Sequence, residues 1–119
     1  IKFAAYSPLG AGILTGKYSG GINQDPSSRF SKYPELSKGY YNKVTKERAK
    51  IFHNICSEYS INNLRLAFEY VASKPFVSSI IFGVRNHSQL EEILISLSGE
   101  LDYKSLLLAC EELDKKIDG

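Results

Sequence analysis

Apolar and polar positions alternate with a changing period along the chain, and each period points to an element. Phe3 to Ser7 is a short apolar run that Ser7-Pro8 ends abruptly. Proline has no N–H for a sheet ladder, so the pattern predicts a buried strand stopping near Ser7. From Ser19 to about Tyr41 the periodicity gives way to Gly, Ser, Asn, Lys and Tyr, with Pro26 and Pro34 as breaks. That stretch is expected to be a long loop of the kind that forms a lid or a binding segment. Ala49, Phe52, Ile55, Cys56 and Tyr59 then recur at helical spacing, predicting a helix from Thr45, its N-cap, to about Tyr59. A second helix is expected over residues 63–73. Asn62 caps it, Leu66, Ala67, Tyr70 and Val71 share one face, and Pro75 prevents its continuation. Both stripes read as packing surface.

Val77 to Phe82 is a β-branched-rich apolar strand closed by Gly83. A run apolar on both faces suits a parallel strand covered by helices on the outside. Asn86-x-x-Gln89 is close to a capping box, so a helix should start near His87. Leu90, Ile93, Leu94 and Leu97 would be its buried stripe and Gly99 its end. A last helix from about Asp102 repeats Leu106, Cys110, Leu113 and Ile117 on one face. The β-loop-α rhythm predicts an α/β fold.

Two of the loops carry candidate chemistry. Gly10, Gly12 and Gly16 follow Pro8 and precede Lys17, leaving the backbone bare where something can approach closely. Loop amides beside one cation form a plausible anion cradle, although an ordinary Gly/Pro turn has the same composition. At Gly83-Val-Arg-Asn-His-Ser, a helix N-terminus with unpaired amides attracts an anion, and the planar fork of Arg85 can take a phosphate bidentately.

Charge and composition narrow the partners. The net charge of +2, from interspersed acidic and basic residues, argues against nucleic acid. No apolar run approaches the ~20 residues of a membrane span. Cys56 and Cys110 lack metal-ligand spacing and fall on apolar helix faces, which suits buried thiols in a reducing, cytoplasmic setting. The 119 residues contain no methionine and begin inside a strand, so the chain is expected to be a piece of something longer.

Tyr6-Ser-Pro-Leu-Gly-Ala-Gly-Ile-Leu-Thr-Gly-Lys-Tyr resembles the segment after the seventh strand of aldo-keto reductases. Ser78-Ser-Ile-Ile-Phe-Gly-Val-Arg-Asn-His-Ser-Gln-Leu-Glu-Glu92 resembles that family's eighth strand and the helix start holding the adenosine 2′-phosphate. The likeness runs from about Phe3 to Ile117. It implies the C-terminal part of a (β/α)8 TIM barrel, with residues 1–119 forming the last two strand-helix units and the rest of the barrel needed for folding. A whole barrel takes roughly 250 residues. The implied cofactor is NADP(H), and the implied activity is reduction of small aldehydes or ketones, or oxidation of alcohols or sugars, by hydride transfer.

The resemblance also implies residue roles. Tyr6 would stack on the nicotinamide, Ser7, Pro8, Leu9, Gly10 and Ala11 would line the pyrophosphate, and Lys17 would pair with a phosphate. Ser27-Ser28-Arg29-Phe30 resembles the part of the family's loop that folds over the cofactor, so Arg29 could reach a phosphate. Gly83, Arg85, Gln89 and Glu92 would hold the adenosine end, with Arg85 favouring NADPH over NADH. Ile93 stands where many relatives carry Asn, which weakens recognition of the base.

The family's Asp, Tyr, Lys and His tetrad lies on earlier strands and has no counterpart here. Neither His53, in a helix, nor His87, at a cap, matches the catalytic histidine, and Tyr18, Tyr33, Tyr40 and Tyr41 do not match the acid. No residue is assigned to catalysis or to a metal. The β subunits of voltage-gated potassium channels share the Ser-Pro-Leu, Gly-Lys-Tyr and Gln-Leu-x-Glu features, so a regulatory, partner-binding protein of the same fold is the alternative. An inactive truncated product is a third reading.

Overall fold

A computed structural model of the chain describes residues 2–10, 12–15 and 29–118, with Arg29, Leu36, Ser37, Tyr40 and Asp118 described by backbone alone. Strands β1 (Phe3–Tyr6) and β2 (Val77–Ile81) pair in parallel, with Ala5 opposite Ile80 and Tyr6 opposite Ile81. Parallel neighbours need a long crossover, and helices supply it. They are α1 (Arg29–Lys32), α2 (Pro34–Tyr40), α3 (Lys43–Glu58) and α4 (Asn63–Ala72). After β2 come α5 (His87–Ser98) and α6 (Tyr103–Asp118). The result is an α/β arrangement rich in helix, consistent with part of a barrel.

The expected long loop is partly helical: residues 29–32 and 34–40 form α1 and α2, while its first half lies outside the described residues. Two local causes are visible. Pro34 opens α2, where a fixed φ and a missing N–H cost nothing. Phe30, fully buried against Ile13 and Ala49, ties α1 to the start of α3.

The N-cap of helix α3 lies three residues before the expected one. It is Asn42, taking the Thr45 N–H at 3.0 Å, while the Thr45 hydroxyl accepts the Asn42 N–H at 3.0 Å. Thr45 is thus the third helical residue of a reciprocal capping box, not the cap itself. The helix closes with Ser60 at φ +53, its N–H on Ser57 and that of Ile61 on Cys56. This is the six-to-one closure that usually places glycine in the left-handed position. Asn62 caps α4 as expected, accepting from Leu64 and Arg65.

The main core lies between α3, α4 and α6, around Phe52, Ile55, Leu66, Ala109 and Leu113. A smaller cluster of Leu64, Phe68 and Ile93 joins α4 to α5, with Ile80 of β2 packed against it. Strand β2 is therefore covered on the Ile80 side, while Ile81 points the other way and is exposed. In α5 only Ile93 of the expected stripe is buried; Leu94 is 54% exposed.

Polar pairs fasten α6 over this core. The Tyr70 hydroxyl donates to Asp114 at 2.5 Å, and Lys74 Nζ reaches both oxygens of the same carboxylate at 2.8 and 3.1 Å. Tyr59 donates to Glu112 at 2.7 Å, and Lys116 holds that carboxylate's other oxygen. Asp114 is pulled below the usual carboxylate range by Lys74 and then Tyr70, and Glu112 by Lys116 and then Tyr59. By accepting the hydrogen bond of the phenolic O–H, Glu112 pushes Tyr59 up to about 12.

A carboxylate depressed in the folded state stabilises above its unfolded pKa, and that contribution is lost as pH falls through the folded value. The raised tyrosine acts oppositely: its contribution is complete below about 10 and is lost as pH rises towards about 12. Docking of α6 should therefore hold from about pH 5 to 10 and weaken outside that window. In thermal melts between pH 7 and pH 3, the double substitution Asp114→Asn with Glu112→Gln should lower the midpoint at pH 7 and shrink its fall on acidification. An unchanged fall would remove these two groups as the cause.

Candidate functional site

The site is built where the two strands end. Ser7 leaves β1 at φ +55, its N–H still donating to the Ile81 carbonyl at 3.2 Å, so the two chain exits stay side by side. The loop then coils tightly. Gly10 N–H returns to Ser7, Gly12 and Leu14 N–H both return to Leu9, and Gly10 and Gly12 take φ +58 and +96. These positive angles suit glycine, which has no Cβ to clash. From below, Leu9 and Leu14 pack on the main core and Ile13 sits buried against Phe30 and Ala49. Above, the Tyr6 side chain is 77% exposed at the strand end.

The second loop runs from Phe82 to Asn86. Phe82 meets Phe68 edge to face at 5.0 Å, pinning the loop to α4. Asn86 caps α5 as expected, taking the Gln89 N–H at 3.0 Å. The Gln89 side-chain oxygen accepts from Arg85 N–H at 2.7 Å, one residue earlier than a capping box requires. With Leu90 N–H on the Asn86 carbonyl, the first two helical amides, of His87 and Ser88, keep no intrahelical acceptor.

Both loops border one open cleft of about 1520 Å³. Tyr6, Ser7, Pro8 and Leu9 line it from the first loop, and Gly83, Arg85, Gln89 and Glu92 from the second. Gly10 turns just behind this wall and is not part of the lining. Ala11 and Lys17 lie outside the described residues, as does the side chain of Arg29, whose backbone opens α1.

Gly12 and Ile93, both singled out from the sequence, also border the cleft, but the contribution of the other elements was not foreseen. Lys32 and Tyr33 border the cleft at the end of α1, and Ser57, Ser60, Asn62 and Asn63 come from the end of α3, the turn after it and the start of α4. That turn faces the cleft because α4 starts beside the strand exits, and Asn62 was legible only as a cap. Cys56, beneath the turn, is buried among apolar side chains, and burial pushes its thiol up to about 12, well away from a reactive thiolate.

A tyrosine, lysine and aspartate do meet in this structure, at Tyr70, Lys74 and Asp114, with Lys74 Nζ 4.2 Å from the Tyr70 ring centre. They sit at the α4–α6 seam and do not border the cleft. Burial and the Asp114 acceptor raise the Tyr70 pKa, the opposite of what a proton donor poised near neutrality needs. The trio is a fastening. Among the described residues, no three His, Cys, Asp or Glu side chains gather as a metal site, and no helix is long and apolar enough to cross a membrane.

Residues 1–113 match the aldo/keto reductase family. An aldo-keto reductase of Babesia bovis is 34% identical over 93 residues, covering 77% of this chain and 33% of that protein. A probable voltage-gated potassium channel subunit beta of Oryza sativa subsp. japonica is 35% identical over 98 residues, covering 82% of this chain and 30% of the relative. The L-glyceraldehyde 3-phosphate reductase of Escherichia coli K12 is 28% identical over 98 residues, covering 79% and 28% respectively. The chain thus spans about a third of the length of these relatives.

Asn86 holds the geometry of the second loop, so Asn86→Ala should cost about 1 kcal/mol of helix stability. Amide hydrogen exchange should accelerate at Gln89, whose N–H loses its acceptor, more than at mid-helix positions. Uniform acceleration along α5 would contradict this.

Proposed function

The chain belongs to the aldo/keto reductase family, and on that premise we propose that its two loops grip NADP(H) for hydride exchange with a small aldehyde or ketone. The observation carrying this reading is that Tyr6–Leu9 and Gly83–Glu92, about 75 residues apart in sequence, border the same cleft at the ends of adjacent parallel strands. A phosphate site at the ends of the last two strands is a recurring arrangement in (β/α)8 barrels, and this reading makes β1 and β2 the seventh and eighth strands of one. Residues 1–119 then form the closing part of a barrel domain whose remaining strands cover the open sheet.

The donors present fit a dinucleotide's anionic end. Arg85 and Gln89 line the cleft on either side of the first turn of α5, whose first two amides and positive dipole end lie between them in sequence. Arg85 and those amides take the 2′-phosphate, favouring NADPH over NADH. The Gln89 oxygen already accepts from the Arg85 backbone, so its amide NH2 is the group that donates to the ribose. Glu92, an acceptor, takes the adenine amine. Ser7, Pro8 and Leu9 line the pyrophosphate, with Gly10 turning the loop behind them, and the exposed ring of Tyr6 stacks on the nicotinamide; the same reading gives Ala11, Lys17 and Arg29 a share in holding the phosphates.

Bound NADPH would supply the hydride. This chain's residues bind and orient, and the proton donor with its lysine, aspartate and histidine partners comes from the preceding strands. The two buried free thiols accord with a reducing, cytoplasmic setting. The likeness to the rice potassium channel subunit favours a second reading, a partner-binding protein that holds the same cofactor.

Arg85→Glu in the whole protein should weaken NADPH by roughly ten- to a hundredfold, the loss of a charge-assisted contact of about 1.5–3 kcal/mol, and NADH much less. Equal losses in a fluorescence titration would sink the 2′-phosphate assignment. Residues 1–119 alone should reduce no aldehyde with NADPH, and measurable turnover would place the acid within this chain.

A further inference from the structure

Arg65 is the one charged residue buried among the described side chains, at 9% exposure. Its Nε lies 2.8 Å from Glu69 Oε1, one turn along α4. Its other arm leaves α4 altogether: one terminal nitrogen donates to the carbonyls of Ser96, Leu97 and Gly99 at 3.3, 2.7 and 2.9 Å. These are carbonyls of the last turn and C-cap of α5, which the helix itself leaves without N–H partners. Gly99 does not provide the usual closure, because its backbone is extended (φ −71, ψ 162) rather than left-handed. Arg65 does the capping instead, with its charge at the negative end of the α5 dipole.

This contact has leverage. Helix α5 fully buries one side chain, Ile93, against Leu64 and Phe68, and Leu97 packs half-buried on the same cluster. Along its ~18 Å axis, it is therefore held near the middle by Ile93 and at its far end by Arg65, with Leu97 packed beside it. A rod gripped firmly at two points has a fixed axis, and weakening one grip lets the axis tilt. The end that a tilt would shift carries Arg85 and Gln89, which line the cleft. Arg65 also follows Asn62, Asn63 and Leu64, which line the cleft from the other side. One guanidinium thus sets the spacing between two walls of the cleft without bordering it.

We infer that Arg65 is a positioning residue for the phosphate-adenosine end of the cleft, acting through the axis of α5. This rests on the cofactor reading proposed above. The test uses the whole protein and two half-cofactors, adenosine 2′,5′-bisphosphate and nicotinamide mononucleotide. Arg65→Met should weaken the bisphosphate about tenfold and leave the mononucleotide within twofold. Because loss of a buried charge can unfold a protein, Arg65→Lys is measured beside it. Lysine keeps the charge but cannot satisfy Glu69 and three carbonyls with one planar fork, so it should fall between wild type and Arg65→Met. Hydrogen exchange at Gln89 and Leu90 should quicken in the same order. Equal weakening of both halves, or a lowered melting temperature with unchanged bisphosphate affinity, overturns the inference and leaves Arg65 a purely structural bolt. A wild-type protein that binds neither half overturns the cofactor reading itself and this inference with it.

Discussion

The parallel pairing of β1 with β2 is the constraint from which the rest follows. Antiparallel strands would have placed their exits at opposite ends, whereas here Tyr6 lies opposite Ile81 and the ladder continues through the Ser7 amide. Both chains therefore emerge on one side, each into a loop that cannot extend the sheet. Pro8 ends the first, and the second turns at Gly83 towards the Asn86 cap. The crossover must return to the sheet's starting end, so α4 runs back from the cleft and begins at its edge. The cleft is thus a product of chain direction, and the polar residues around it occupy positions that topology had already brought together.

Elements with strong local punctuation were legible from sequence. Pro8 and Gly83 mark where the strands stop, and Asn62 and Asn86 mark where two helices start, because proline, glycine and asparagine act on the backbone within a few residues. The stripe of Leu106, Cys110 and Leu113 on α6 was legible for the same local reason: helical period alone selects it. Helices α1 and α2 were not, being four and seven residues long, too short for a period to show, and held by the burial of Phe30. At the start of α3, Asn42 and Thr45 are both good caps, and only the reciprocal geometry decides between them.

The site divides along the same line. The two loops that border the cleft could be picked out because their residue types announce anion-binding backbone. Asn63, Ser57 and Lys32 could not, since their place on the cleft depends on how α1, α3 and α4 are arranged in space. Arg65 was the hardest to foresee. On an apolar helix face an arginine reads as a residue escaping to solvent, and its partners at Ser96, Leu97 and Gly99 lie more than thirty residues downstream. A charge becomes tolerable inside when several carbonyls and a carboxylate meet it there, and nothing local reveals that they will.

Cys56 and Cys110 sit in one apolar cluster between α3, α4 and α6, and burial raises both thiols out of the range where thiolate forms at neutral pH. An alkylating reagent meets Cys110 only when the helical layer parts, whereas Cys56 also borders the cleft. The Cys110 sulfur therefore acts as a clock for that event: its modification rate measures how often the layer opens, whatever occupies the cleft above.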